Sequence, residues 1–143
     1  MVAVQEVEAE KLIVVLKEEL KKVDNIKPPA WAAFAKSGVN RERPPVQKDF
    51  WYIRAASLLR RVYVNGPIGV GRLTTFYGGR KRGGTKPAHF RRSSGSMLRK
   101  MMQQLEIAGL VEKTDVKGVK GRKISPAGRK LLDKVAYEVS KSG

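Results

Sequence analysis

Between Asp49 and Glu106 the chain has no acidic residue, yet twelve cationic ones stand there: Arg54, Arg60, Arg61, Arg72, Arg80, Lys81, Arg82, Lys86, Arg91, Arg92, Arg99 and Lys100. A stretch of one sign cannot be folded inward, because buried charges need partners. It must lie along the surface, while the apolar residues spaced through it hold the chain together. Its middle, Tyr77 to Arg92, is rich in glycine and too basic for a core element. Its flanks carry helical periodicity. The chain is therefore a helical frame that displays a cationic arm. A field of one sign costs self-repulsion and calls for an anionic partner, with RNA or DNA as the first candidate.

The other global properties narrow the class. The 143 residues fit one domain, taken as 1–143, and the net charge is +17. Cysteine is absent, so there is neither a disulfide framework nor a thiolate metal site, and an intracellular compartment is expected. Glu6, Glu8 and Glu10 precede the first apolar run, where a secretory leader would carry basic residues. That run, Leu12 to Leu16, is far shorter than the roughly 20 residues a membrane span requires. A soluble, non-exported protein with no membrane partner is the expectation.

The elements follow from spacing. In residues 8–23, Leu12, Leu16, Leu20 and Val23 recur as on a helix, and Ile13, Val14 and Val15 widen that face. Pro28-Pro29 fits the start of a short helix, Ala30 to Lys36, with Trp31 and Phe34 expected in the core and Gly38 at its exit. Residues Asn40 to Val46, with two adjacent prolines, read as a loop. Asp49 can cap a helix over 50–64. Tyr52, Ala55, Ala56, Leu59, Val62 and Tyr63 form its inner face; Arg54, Ser57 and Arg61 lie opposite, with Arg60 beside them. No acid within four residues on this helix can pair with those arginines.

Asn65-Gly66-Pro67 ends the helix by turn chemistry. Val70 to Tyr77 is a short helix with Val70, Leu73 and Phe76 facing inward. Residues 78–92 read as an irregular basic loop that orders on contact with a partner. In the next helix, 93–108, Leu98, Met101, Met102, Leu105 and Ala108 share one side, and Ser96, Arg99, Lys100 and Gln103 the other. Gly109 stops it. Leu110–Thr114 and Gly121–Ser125 form a β-hairpin carrying Lys117, Lys120, Arg122 and Lys123. Ser125-Pro126 opens a last helix with Leu131, Leu132, Val135, Ala136 and Val139 inward, and Ser140 to Gly143 are expected to fray.

This order, helix, short helix, longer helix, hairpin and closing helix, is mainly α and winged-helix-like. N-terminal helices over 8–37 are added to a winged-helix core over 49–139. The turn between the helix–turn–helix pair, normally 3–4 residues, grows to the fifteen residues 78–92. That suits the irregular phosphate surface of a folded RNA better than a DNA major groove. The expected RNA-binding set is Arg54, Arg60 and Arg61 from one helix, and Arg72, Arg80, Lys81, Arg82, Lys86, Arg91 and Arg92 from the loop and its approach. Arg99 and Lys100 join from the second helix of the pair, and Lys120 and Arg122 from the wing. Phe90 and Tyr77 are aromatics able to stack on a base, with core packing the expected fate of Tyr77.

Several stretches, taken in order, resemble the archaeal and eukaryotic small-subunit ribosomal protein nineteen. They are Lys27-Pro-Pro-Ala-Trp31, Asp49 through Ser57, Gly69-Val-Gly71, Tyr77-Gly-Gly79, Pro87-Ala-His-Phe90, Arg99-Lys100 before Gln104-Leu-Glu106, and Gly121 through Gly128. The likeness runs from about residue 8 to 137. It implies a winged-helix-like fold and a structural role in the head of the small ribosomal subunit, in the cytoplasm. The partners it implies are ribosomal RNA and neighbouring ribosomal proteins, and eukaryotic members also take part in subunit maturation. Arg54, Arg60, Arg99 and Lys100 match basic positions of the family. The length and the lack of a long basic C-terminal tail fit an archaeal member. A monomer is expected when the protein is free.

Catalytic chemistry is not supported. His89 is the single histidine and has no carboxylate near it in sequence, which leaves neither a metal site nor a Ser–His–acid constellation with Ser93 or Ser94. Gly78 to Thr85 resembles a phosphate-binding P-loop but lacks lysine after the second glycine and a strand before it. No cofactor is expected. The alternatives are a winged-helix DNA-binding regulator, dimerising through its acidic N-terminal helix, and a module for an acidic protein.

Overall fold

The computed structural model describes residues 4–33, 38, 49–83, 85–116 and 119–142. The expected loop over Asn40–Val46 and the expected core residue Phe34 lie outside them. Helix α1 (Ala9–Lys21) buries Leu12, Leu16 and Leu20, as the four-residue spacing dictates. A 3₁₀ turn, Val4–Glu6, precedes it, and Val4 and Val7 enter the core on the side of the last helix. Ala30–Ala33 forms a second 3₁₀ turn. Trp31 does not enter the core as expected. It stays 42% exposed, its ring edge-on to that of Trp51 at 6.0 Å between centroids. Trp51 takes the interior position instead.

Helix α2 (Phe50–Asn65) is central and packs on α1 and on three later elements. Ala55, Ala56, Leu59 and Val62 are buried as expected, together with Trp51 and Leu58, which widen the apolar face. Tyr52 and Tyr63 pack against its margin. Each fully buried leucine here contributes roughly 1.5–3 kcal/mol relative to exposure. Asp49 precedes the helix but does not cap it through its side chain. Its carboxylate accepts from Lys17 Nζ at 2.6 Å and from Lys21 Nζ at 3.4 Å, so two ammonium groups outcompete the helix amides. At the far end Gly66 takes φ 78° and turns the chain.

Helix α3 (Val70–Phe76) buries Leu73 and Thr74. Phe76 was expected inward and is not; it is 49% exposed. Residues 78–92 do not form an irregular loop either. Strands β1 (Gly79–Gly83) and β2 (Lys86–Arg91) pair antiparallel, with Arg80 opposite Phe90 and Lys81 opposite His89. The pairing ends with Gly83 opposite Lys86, and Thr85 lies in a turn before β2, so the strands form a hairpin. A two-stranded ribbon is marginal by itself. This one is tied at its base, where Ser93 N–H donates to Thr74 O and Ser93 bridges to Gly38.

Helix α4 (Gly95–Ile107) begins at Ser94, whose hydroxyl accepts from Met97 N–H. Met97, Leu98, Met101, Met102 and Leu105 are buried against α2 and α3. Buried Gln104 accepts from Trp51 Nε1 at 2.8 Å and donates to Lys27 O at 2.7 Å, pinning α4 to α2 and to the N-terminal segment. The helix ends at Gly109 with φ 82°. There Leu110 N–H reaches Leu105 O and Gly109 N–H reaches Glu106 O, a Schellman closure that needs the left-handed residue.

Strands β3 (Val111–Val116) and β4 (Val119–Ile124) form the expected wing in regular register, Val111 opposite Ile124. Ile68, between α2 and α3, exchanges two backbone hydrogen bonds with Arg122 and adds a rung to its outer edge. Helix α5 (Pro126–Ser142) closes the fold on α1 and α2. Ser125 Oγ accepts from Gly128 N–H and donates to Gly109 O. Leu132, Val135, Ala136 and Val139 are buried, with Leu131 at the margin. The expected fraying from Ser140 is not seen; the helix runs through Ser142. Buried Val139 and the bond from Ser140 Oγ to Tyr137 O hold that last turn. The architecture is mainly α and winged-helix-like, with a second hairpin inserted between the paired helices.

Candidate nucleic-acid interface

The outward face of α2 meets the end of α3, and aromatic rings decide how. Tyr77, just past α3, is partly buried and shares a 2.5 Å hydrogen bond with Ser57. The Arg54 guanidinium lies over the Tyr77 ring at 4.2 Å and also over Phe50 at 5.2 Å. The Arg61 guanidinium stacks on Phe76 at 3.5 Å. Phe76 and Tyr77 meet edge to face, 4.8 Å apart at 85°. Two arginines about two helical turns apart are thus laid on two contacting rings. Each such contact is worth about 0.5–2 kcal/mol, depending on desolvation. Burial pushes the Tyr77 hydroxyl above its ordinary pKa, against the pull of the Ser57 bond and of Arg54, Arg61 and Arg60.

The neighbouring cations extend this tier. Arg72 is exposed one turn before Phe76 on α3. Arg80, Lys81 and Arg91 are exposed on the hairpin, and Arg92 just after it. Arg99 and Lys100 are exposed on α4, whose first residue, Gly95, packs near Thr74 of α3. Arg82 and Lys86 lie in the hairpin, and Lys120 in the wing, by backbone position; their side chains are outside the described set. Arg122 stands apart. Its Nε donates to Glu106 at 3.2 Å and its side chain is only 16% exposed. Lys123 likewise faces Glu112 at 3.5 Å.

The structure thus gathers Arg54, Arg60 and Arg61 with Arg72 and the hairpin base, sets Arg99 and Lys100 on the adjoining helix, and ties Arg122 to an acid. Sequence reasoning missed Phe76 and Tyr77 as the rings that hold the arginines. No local pattern links Arg61 to a ring fifteen positions later. Asp49, expected as a cap, instead pairs with two lysines. The Lys17 ammonium holds its carboxyl below the usual carboxylate range, and Lys21 adds to this. The acid nearest the arginine tier in sequence is therefore already neutralised from α1. Among the described residues no cluster of His, Cys, Asp or Glu could hold a metal ion, and no helix is long and apolar enough to cross a membrane.

Fold and surface together define a basic, mainly helical winged-helix-like domain that displays arginines on aromatic supports. The chain belongs to the ribosomal protein S19e family, whose profile matches residues 3–142. It is 53% identical over 141 residues to small ribosomal subunit protein eS19 of Aeropyrum pernix, covering 97% of this chain and 90% of that protein. The eS19 protein of Haloarcula marismortui is 46% identical over 143 residues, covering 97% and 92%. That of Argopecten irradians, outside the archaea, is 44% identical over 138 residues, covering 96% and 94%.

Proposed function

We propose that this protein is a structural constituent of the small ribosomal subunit that binds ribosomal RNA in the subunit head and aids its assembly, working in the cytoplasm and monomeric until it docks. The observation that carries this reading is the arginine tier. Arg54 and Arg61 are fixed on rings, and Arg72, Arg80, Arg91, Arg92, Arg99 and Lys100 surround them in an interval that contains no acid. Guanidinium groups held flat lose less entropy when they meet phosphates, and their forked donors match phosphate oxygens. Released counter-ions supply most of the affinity. Lys81, Arg82, Lys86 and Lys120 join along the two hairpins, while Arg122 acts mainly by holding the wing to α4 through Glu106. The relatives' names, small ribosomal subunit protein eS19, support the setting. Neighbouring head proteins and ribosomal RNA are the partners. No cofactor or catalytic residue enters the proposal.

The test uses Arg99→Glu with Lys100→Glu, since both side chains are exposed on α4 and outside the core. The parent protein should sediment with small subunits in a native extract and be released by nuclease. The double variant should fold normally and remain at the top of the gradient. Co-sedimentation of the variant at parental level would refute the assignment of α4. A winged-helix DNA regulator forecasts the opposite pattern, with random DNA duplex competing as well as folded ribosomal RNA.

A further inference from the structure

We infer that the Phe90 ring, at the base of the β1–β2 hairpin, is a stacking platform for one unpaired nucleobase; this rests on the RNA binding proposed above. Of the three aromatics gathered there, two are already used. Tyr77 is partly buried, hydrogen-bonded to Ser57 and covered by Arg54. Phe76 is covered by Arg61 and met by the edge of Tyr77. Phe90 is 52% exposed. It is not loose, because its ring rests on Gly78. A Cβ at that position would lie 2.8 Å from Phe90 Cζ and 2.5 Å from Arg91 O. Glycine therefore lets the ring settle against bare backbone, which fixes its position and leaves the rest of its surface open.

The surroundings select the occupant. Phe90 faces Arg80 across the ladder, Arg91 follows it opposite Gly79, and the next ladder pair is Lys81 with His89. The Arg80, Lys81 and Arg91 side chains are exposed. Successive strand residues point to opposite faces, so Arg80 shares the Phe90 face while Arg91 and Lys81 line the other. An apolar protein surface pressed onto this ring would strip water from Arg80 without pairing it, which is costly. A nucleotide offers a flat π-face for the ring and its own phosphates for the rim. A base inside an A-form duplex already has both faces stacked, so the platform selects a bulged, looped or terminal base.

Phe90→Leu and Phe90→Trp in the full chain, each titrated with folded small-subunit RNA and with a fully paired RNA duplex over a range of salt, test this. Phe90→Leu should weaken binding to the folded RNA by roughly 5- to 150-fold, the range for loss of one stacked base. Its salt slope should equal the parent's, because no phosphate contact is removed. Its affinity for the duplex should be unchanged. Phe90→Trp should bind the folded RNA at least as tightly as the parent. Parental affinity of Phe90→Leu for folded RNA, an equal loss on the duplex, or a shallower slope each overturns the platform. If Phe90→Leu lowers the thermal midpoint, the ring-retaining Phe90→Trp and Phe90→Tyr decide: undiminished binding supports the stack and weakened binding refutes it. If the parent itself ignores small-subunit RNA, RNA binding falls and the platform with it. If the parent binds and Phe90→Leu matches it, the platform alone falls.

Discussion

Arg61, in the proposed RNA-binding tier, carries a cost to the fold. Its Nε, like that of Arg60, is buried with no hydrogen-bond partner among the described residues. An unpaired buried polar group costs about 1–3 kcal/mol, and the Phe76 contact returns about 0.5–2 kcal/mol of it. Stability and binding should therefore separate on substitution. Arg61→Met keeps an aliphatic chain over Phe76 and removes the stranded Nε, so unfolding in urea should shift by less than about 1 kcal/mol, in either direction. The same variant should bind ribosomal RNA more weakly, with a salt slope shallower by roughly 0.7–0.9. Asp49 makes a different forecast. Its pairing with Lys17 lowers the folded-state pKa from the usual 3.8. A carboxyl depressed in the folded state adds stability above its unfolded pKa, and that contribution disappears as pH falls through the folded value. Asp49→Asn should thus melt below the parent at neutral pH, and the two melting curves should converge as the solution is acidified below about pH 4. Parallel curves at every pH would assign the aspartate no such role.

Ser125 joins three elements through one hydroxyl: it accepts from Gly128 N–H in α5 and donates to Gly109 O where α4 ends, beside the start of β3. Ser125→Ala should cost about 1–3 kcal/mol, combining a lost cap with a carbonyl left unpaired, measurable as a lower urea midpoint with unchanged m-value. That cap was legible in Ser125-Pro126 because capping is local. The same holds for α1, α4, α5 and the wing, whose apolar spacing or turn residues lie within a few positions of one another. The β1–β2 hairpin was not legible. Its strands, Gly79-Arg-Lys-Arg-Gly83 and Lys86-Pro-Ala-His-Phe-Arg91, carry no regular apolar alternation, and the only sign was Gly83-Gly84 between two short runs. Trp31 and Phe76 were expected inside because large aromatics usually are. Whether such a ring is covered depends on a partner distant in sequence, here Trp51 for one and Arg61 for the other. Asp49 was read as a cap for the same reason, since its lysines lie 32 and 28 residues away. The candidate cations could be named from sequence; which of them share a surface could not.

Charge is sorted across the whole molecule. The described ion pairs draw on Lys11, Lys17, Lys21 and Lys22 of α1 and its end, and on Arg122 and Lys123 of the wing. The interval 50–105 contains no acid of its own and so carries a positive field. If about eight of its cations meet phosphates, the logarithm of the RNA association constant should fall against the logarithm of salt with a slope of roughly −6 to −7. Filter binding over a few salt concentrations measures it, and a slope near −2 would leave the tier without its proposed role. The rung between Ile68 and Arg122 has a bearing on how such a surface docks. It fastens the wing to the short peptide between α2 and α3, the helices that supply the arginines and the rings beneath them. The spacing between wing and arginine tier is thereby set before any partner arrives, so in the proposed docking the protein would meet RNA as a gauge of fixed width, and an RNA folded to the wrong width would satisfy one contact only by giving up the other.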